Sequence, residues 1–470
     1  LEAARTALAG RPAWLVGGAV RDRELGRTIV DLDVTLADAD IKKAARALAR
    51  AIGGTAFPLS EAFGAWRVIA PDHAWHADLA ALRGGTIEED LAKRDFTINA
   101  IAEPLGGGPP VDPYGGMEDI AARRLRMVSP EAFDDDPLRT MRLARIACEL
   151  GIDPEPDTAA AARARARKLE DVAPERIFAE LKRIVTDDRV LAGMRLLHDL
   201  GLEEVVLPEL TALRGVEQSA YHHLDVYDHT MAVLEEAVAL ECDPQAVFGD
   251  ERGAAVDELM RTPLADDLDR WQALRFAALL HDAAKPATRD VRPDGRVTFL
   301  GHDREGAELA RRVLGRLRTS ERLRAFVAGV VRHHLRLGFL VHERPLSRRA
   351  MYRYLRACDP IPVEASTFTV ADRKATRGRN AEAAIAAHVD LACEVLDAAL
   401  PWERDGAPTA PVRGNELAQA LGIKPGPDLG VLLDQLAEAT YVGEVSGPDD
   451  AIAWARERLQ VPGWKDAPPA

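Results

Sequence analysis

The sequence predicts an α+β protein, an α/β head followed by helices over almost all of the remaining chain. Three observations predict it. From Trp14 to Ile120 short β-like runs alternate with helical patterns. After Ser129 the apolar spacing becomes that of helices, and β-like runs vanish apart from a possible turn near Val297 to Leu300. A chain of 470 residues is also too long for one core and implies roughly three or four domains.

In the head (residues 1–129), Trp14–Val16, Ile29–Leu36, Trp66–Ala70 and Trp75–Leu79 read as strands and Asp40–Ala51 as a helix. A helical neck follows over 130–215, then a second helical domain over 216–400. Within the latter, Asp243–Asp269 is acidic and aperiodic and reads as a surface insertion. The Pro/Gly/Ala stretch Pro401–Pro411 breaks the helical period, which sets off a small helical tail over 411–470. No internal repeat is visible.

Apolar residues make up 47% of the chain, but no run approaches the ~18 that a membrane helix needs. The opening Leu1-Glu2-Ala3-Ala4-Arg5 lacks a basic-then-apolar secretion pattern, so a cytoplasmic location is expected. Cys148, Cys242, Cys358 and Cys393 stand far apart, with no C-x-x-C pair, and read as reduced, buried fillers. The formal charge of -15 does not exclude a nucleic-acid partner, because phosphate affinity follows local fields. Arg304–Arg356 holds fourteen arginines against four acids, and Arg163, Arg165, Arg167 and Lys168 form a second basic knot. Both are candidate RNA surfaces, or solvated faces balanced by acids elsewhere.

The chemistry of the head starts from Gly17-Gly18-Ala19-Val20-Arg21-Asp22 followed by Asp31-Leu32-Asp33. Residues two apart in a strand share a face, so Asp31 and Asp33 set two carboxylates side by side, an arrangement that calls for a cation. Asp78 stands ready as a third oxygen ligand from a neighbouring strand. Oxygen ligands with open positions suit Mg²⁺, and two such ions can activate a hydroxyl and steady a leaving pyrophosphate. Gly17 and Gly18 let backbone N–H groups approach a triphosphate, with Arg21 adding charge.

Further blocks are Lys93-Arg94-Asp95-Phe96-Thr97-Ile98-Asn99, Asp112-Pro113-Tyr114-Gly115-Gly116, Asp135-Asp136-Pro137-Leu138-Arg139-Thr140-Met141-Arg142, Pro174-Glu175-Arg176-Ile177 and Gly414-Asn415-Glu416-Leu417. In this order they resemble the class II (bacterial) tRNA nucleotidyltransferase/poly(A) polymerase family over most of the chain. The resemblance implies a polymerase-β-like nucleotidyltransferase head, tRNA as partner, and CTP and ATP as substrates. It assigns Arg94 and Asp95 to the ribose, with Asn99 nearby, although Lys93 stands where the family usually has Arg. It assigns Asp136 and Arg139 to reading the incoming base, three apart on a helix and so on one face. Asp135 replaces the family's usual Glu. A carboxylate beside a guanidinium matches the N4 or N6 donor and ring-nitrogen acceptor shared by cytosine and adenine, and leaves uracil and guanine mismatched. Arg142 and Arg145 continue that ridge toward the triphosphate or primer, or alternatively pair with Glu149 and Asp153.

Family members that complete the whole CCA end carry a flexible loop of well over ten residues before the Arg-Asp-Phe-Thr block. Here Asp78-Leu79-Ala80-Ala81-Leu82-Arg83-Gly84-Gly85-Thr86 leaves no room for it. The resemblance therefore implies a CC-adding enzyme. The alternatives are a full CCA-adding enzyme or a poly(A) polymerase.

The second helical domain holds His229, His281-Asp282, His302, His333-His334 and Asp372, an order that resembles the HD phosphohydrolase superfamily. The resemblance implies a metal on His229, His281, Asp282 and Asp372, with His302 and His333 helping to hold a second. Such ligands fit Mn²⁺, Fe²⁺, Ni²⁺ or Mg²⁺. It also implies a possible phosphohydrolase acting on RNA ends, with Lys285 near the phosphate. Three functions are thus distinguishable: a transferase needs Asp31 and Asp33, a hydrolase needs His281, and a non-catalytic RNA-binding protein needs neither. The sequence does not specify the oligomeric state.

Overall fold

In the computed structural model, which describes residues 1–37, 40–60, 64–218, 224–377 and 381–464, the chain divides into Leu1–Val206 and Leu207–Ala470. The division falls within the span read as the neck, so the short helix Pro208–Thr211 belongs to the second unit. Residues 465–470 of the tail lie outside the described residues.

The first unit is built on six strands: β1 (Ala13–Val16), β2 (Asp31–Leu36), β3 (Thr55–Ser60), β4 (Ala65–Ile69), β5 (His76–Ala81) and β6 (Ala102–Pro104). Their order is β3-β4-β5-β2-β1-β6, with β2 and β5 parallel and the other neighbours antiparallel. The sequence reading did not anticipate β3 and β6. Pro58 counts against a strand yet is tolerated because β3 is an edge, and β6 is only three residues long. The helix Ile41–Ile52 buries Ile41, Ala44, Ala45 and Leu48 against β3, β4 and β5. Asp40 caps its N-terminus, accepting from Lys43 N at 3.0 Å. Register places Val68 of β4 opposite Ala77 of β5, and Ala77 opposite Leu32 of β2; all three are buried in one apolar row. The alternate row, Arg67–Asp78–Asp33, therefore points from the opposite face. Helices then follow, the longest being Arg139–Leu150, Pro156–Arg165, Pro174–Val185 and Val190–Asp199.

The second unit is organised around Val226–Cys242, Arg270–Leu280, Glu321–His333 and Pro362–Ala375, whose inward faces include Val233, Phe276, Val327 and Phe368. The span Asp243–Asp269 is not a surface insertion. It forms the helices Pro244–Phe248 and Asp250–Met260 and a small hairpin, and it buries Phe248, Val256 and Met260. These three apolar residues span too few turns to show a period. Pro401 likewise does not end a helix but lies within Ala381–Asp405, where burial of Leu396, Ala399 and Trp402 outweighs the lost backbone hydrogen bond. The tail packs Leu417, Leu432, Leu436, Ala451 and Ala455 in its own cluster. The turn expected near Val297–Leu300 is the second strand of a hairpin, Asp290–Val291 with Val297–Thr298.

Two further expectations change. Cys148 and Cys358 are buried, and burial pushes both thiols up to about 12, but Cys242 is exposed and Cys393 half-buried. The basic stretches are largely occupied by carboxylates: Arg316 pairs with Glu209, Arg332 with Asp303 and Arg349 with Glu438 and Glu444, while Arg165 and Lys168 share Asp134. Acids distant in sequence supply these partners. No helix among the described residues is long and apolar enough to cross a membrane.

Candidate active site and metal centre

In the head, Asp31 and Asp33 project together from β2 while Leu32 and Val34 are buried. Asp33 keeps an exposed surface on β2, yet partial desolvation with Asp78 and Asp31 alongside outweighs Arg94 and sets its carboxyl above the usual range. Such crowding is what a cation would relieve. Gly17 adopts φ +72°, and a Cβ there would stand 3.0 Å from both Arg94 Nη1 and Asp33 Oδ2. Glycine thus lets Arg94 and the acidic strand meet. Arg21 donates through Nη1 to Asn99 Oδ1 at 2.7 Å, and Asn99 Nδ2 donates to Asp95 Oδ1 at 3.0 Å. Asp95 receives Arg142 through Nε at 2.9 Å and Nη2 at 2.6 Å, plus the Phe96 N–H at 2.8 Å. Arg94 is braced by Asp90 at 3.0 Å. Gly17, Arg21, Asp33, Arg94, Asp95, Asn99 and Arg142 therefore form one continuous constellation; Gly18 opens the helix Gly18–Glu24 beside it.

Asp78 faces Asp33 in register, but both of its oxygens accept from Arg67, through Nε and Nη2 at 2.7 Å each. The sequence reading missed Arg67, whose partner is visible only once β4 and β5 pair.

Asp136 and Arg139 do not share a helix. The helix Ala132–Asp135 stops at Asp136, whose backbone is extended (φ -147°, ψ 101°), and the next helix begins at Arg139. Pro137 is the cause, since a proline disfavours helical backbone at the residue before it. Asp136 accepts from Arg176 Nη2 at 2.7 Å, and Arg139 donates to the carbonyls of Lys93 at 2.7 Å and Ala132 at 3.0 Å. Arg176 belongs to the Pro-Glu-Arg-Ile block, so the signal for it was present. Arg145 is 5% exposed and held by Glu180 and by Glu149 at 2.8 Å. The Glu180 pair ties the helices Arg139–Leu150 and Pro174–Val185 together.

Residues 82–86, between β5 and the helix Ile87–Ala92, form a short braced link. Arg83 N donates to Asp90 Oδ1 at 3.0 Å and Gly85 N to Glu89 Oε2 at 2.6 Å; Thr86 caps the helix, and Lys93 reaches the Arg83 carbonyl.

The second unit gathers six histidine and aspartate side chains, five of them expected from the sequence. His229 Nε2 lies 3.1 Å from Asp372 and 3.7 Å from Asp282; His281 Nε2 is 3.1 Å and His302 Nε2 3.4 Å from Asp282. His334, not His333, completes the group, with its Nε2 3.3 Å from that of His302. The face of Leu323, Val327, Val330 and His334 is buried, whereas His333 lies one residue out of phase. That apolar spacing was the available signal. Two ligand clusters result, His229–His281–Asp282 and Asp282–His302–His334. His281 Nε2 and both Asp282 oxygens are buried, and beyond the contacts within this cluster and the Lys285 ion pair they have no hydrogen-bond partner among the described residues, as fits metal ligands. Burial, with His281 and His302 alongside, pushes His334 down to about 4, so it is a neutral imidazole at pH 7. Lys285 Nζ sits 2.7 Å from Asp282 and donates to Gln218 at 2.6 Å, and a cavity of about 480 Å³ opens beside them.

Residues 13–126 match the poly A polymerase head domain, 151–213 the probable RNA and SrmB-binding site of polymerase A, and 226–377 the HD domain. The chain is 37% identical over 455 residues to an A-adding tRNA nucleotidyltransferase of Deinococcus radiodurans, covering 95% of this chain and 96% of that protein. It is 35% identical over 452 residues to a CC-adding tRNA nucleotidyltransferase of Thermus thermophilus, covering 94% and 93%. Its fold is similar to that of the Bacillus stearothermophilus CCA-adding enzyme in complex with CTP, with a TM-score of 0.61 at 21% identity over 98% of this chain and 97% of that one.

Proposed function

The chain belongs to the bacterial class II tRNA nucleotidyltransferase/poly(A) polymerase family, and from that premise we propose that it adds cytidines to the 3′ end of tRNA in the cytoplasm and stops before the terminal adenosine. The braced link at residues 82–86 carries the reading, because it leaves no flexible segment to reshape the pocket for ATP. Incubating the protein with tRNA lacking its CCA end, CTP and ATP should give a ladder that ends after two additions. A complete CCA end would overturn the proposal. The similarity to the A-adding enzyme favours a second reading, terminal adenosine addition. The discriminating substrate is tRNA already ending in CC: extension with ATP alone, and no CTP addition to the shorter tRNA, would establish that reading instead.

In this reading the RNA hydroxyl attacks the α-phosphate of the nucleotide and pyrophosphate leaves. Asp31 and Asp33 hold a divalent cation, taken as Mg²⁺ from their oxygen chemistry. When bound it supplies charge neutralisation at the triphosphate and lowers the pKa of the attacking hydroxyl. The backbone at Gly17 and Gly18 and the Arg21 guanidinium bind phosphate oxygens. Arg94 and Asp95, fixed by Asp90 and Arg142, position the ribose with Asn99. Asp136 and Arg139 read the base after exchanging their present partners, Arg176 and the Lys93 carbonyl. Released from these partners, the carboxylate acceptor and guanidinium donor would accept cytosine and leave polar groups unpaired against uracil.

The second centre is read as a phosphohydrolase site for RNA ends, with a divalent ion on His229, His281, Asp282 and Asp372 and further sites at His302 and His334. In this reading Lys285, which borders the cavity, meets phosphate after releasing Asp282 and Gln218. Metal-content analysis together with His281→Ala tests it: an ion-free protein whose phosphodiesterase activity survives the substitution would refute the assignment.

A further inference from the structure

Arg67, Asp78 and Asp33 stand side by side on β4, β5 and β2 in consecutive register. Arg67 grips Asp78 with two parallel hydrogen bonds of 2.7 Å, the fork geometry in which guanidinium and carboxylate match best. Asp31 and Asp33 have no such guanidinium fork among the described contacts; Asp31 meets only His76 Nδ1, at 3.1 Å. On the three strands themselves three carboxylates stand against one guanidinium, and Arg94 offsets Asp33 only in part, so the face stays negative where a cation would bind. A cation that also used Asp78 would have to displace a guanidinium already neutralising it.

We propose that Arg67 is a positioning residue of the nucleotidyl-transfer site: by holding Asp78 as an ion pair it withdraws that carboxylate from metal ligation and confines the cation to Asp31 and Asp33. The proposal rests on the reading of Asp31 and Asp33 as ligands. It changes the role first expected for Asp78, from third ligand to the anchored neighbour that sets the charge of the site. It also makes cation occupancy of the head a property of the β4–β5 register, because only that pairing brings Arg67 to Asp78.

The test is Mn²⁺ binding to the full chain with CTP present, followed by electron paramagnetic resonance, with the Mg²⁺ dependence of nucleotide addition measured in parallel. The Mn²⁺ signal of the second unit is subtracted using H281A/D282N throughout. Asp78→Asn, which strands the Arg67 charge beside Asp33, should weaken Mn²⁺ binding by no more than about fivefold, the same Coulomb step as for Arg67→Met with the opposite sign. Arg67→Met, which frees a carboxylate next to Asp33, should tighten Mn²⁺ binding by about fivefold or add a bound ion, as expected for one uncompensated charge at a few ångströms. Arg67→Lys should stay near the parent, and R67M/D78N should return to it, because the freed carboxylate is then gone. Weakening by Asp78→Asn as severe as that by Asp33→Asn would overturn the proposal, as would an Arg67→Met protein that binds Mn²⁺ like the parent. If Asp33→Asn itself leaves Mn²⁺ binding intact, the reading of Asp31 and Asp33 fails instead.

Discussion

Asp95→Asn is expected to destabilise the head by about 2–3 kcal/mol. Asp95 is 6% exposed, and its two oxygens accept from Arg142 Nε and Nη2, Asn99 Nδ2 and Phe96 N. Asparagine keeps the shape but turns an NH₂ donor toward a group that only donates, and it removes the charge opposing Arg142. Breaking a fully buried pair in this way costs about 3–5 kcal/mol. Arg142 retains 35% side-chain exposure, so water recovers part of that cost, which brings the figure down to about 2–3 kcal/mol. Because a chain of two units need not unfold in one step, the readout is hydrogen exchange of the amides around residues 95–99, with urea unfolding alongside. Removing both partners in D95N/R142M should recover most of the loss, since no charge is then stranded. The pH dependence has a definite sign. Burial alone would raise the Asp95 carboxyl, but Arg142 and Asn99 hold it well below the usual carboxylate range. A depressed folded-state pKa contributes stability that is present above the unfolded value of about 4 and is lost as pH falls below it. The parent's advantage over D95N should therefore be full at pH 6 and shrink in acid. A D95N protein within about 0.5 kcal/mol of the parent, or strict additivity in the double variant, would refute the reasoning.

Gly17→Ala should lower nucleotide addition by about a hundredfold, since its Cβ would press on Arg94 and Asp33 and misplacements of an ångström cost that much. Steady-state kinetics checks it, and near-parental turnover would show that the close approach is dispensable. His334→Ala should cut divalent-metal affinity of the second unit by at least about tenfold whereas His333→Ala should not, as judged by metal content after dialysis. Equal losses from both would put His333 back among the ligands. Under native conditions at pH 8 a thiol reagent should modify Cys242 first, while Cys148 and Cys358, held protonated by burial, should react only on unfolding. Prompt labelling of Cys358 would contradict that burial.

The sequence alone determined what depends on local spacing. Alternation in Asp31-Leu32-Asp33 put both acids on one face, and the order of the blocks identified the family and the head-then-helices architecture. The absence of a long loop after Asp78 was countable, whereas Asp136 and Arg139 were read onto one helix although Pro137 between them was the signal for the break the structure shows. Tertiary structure decided the partners. Period tells which face a side chain takes but not what lies across from it, so the capture of Asp78 by Arg67 waited on strand register and that of Asp136 by Arg176 on packing of residues 40 apart. The choice between His333 and His334 turned on a helical phase of one residue, about 100° of rotation, which the burial of Val327 and Val330 fixes. Net charge over a stretch was the least informative quantity of all, because the acids that neutralise Arg316 and Arg349 come from elsewhere in the chain.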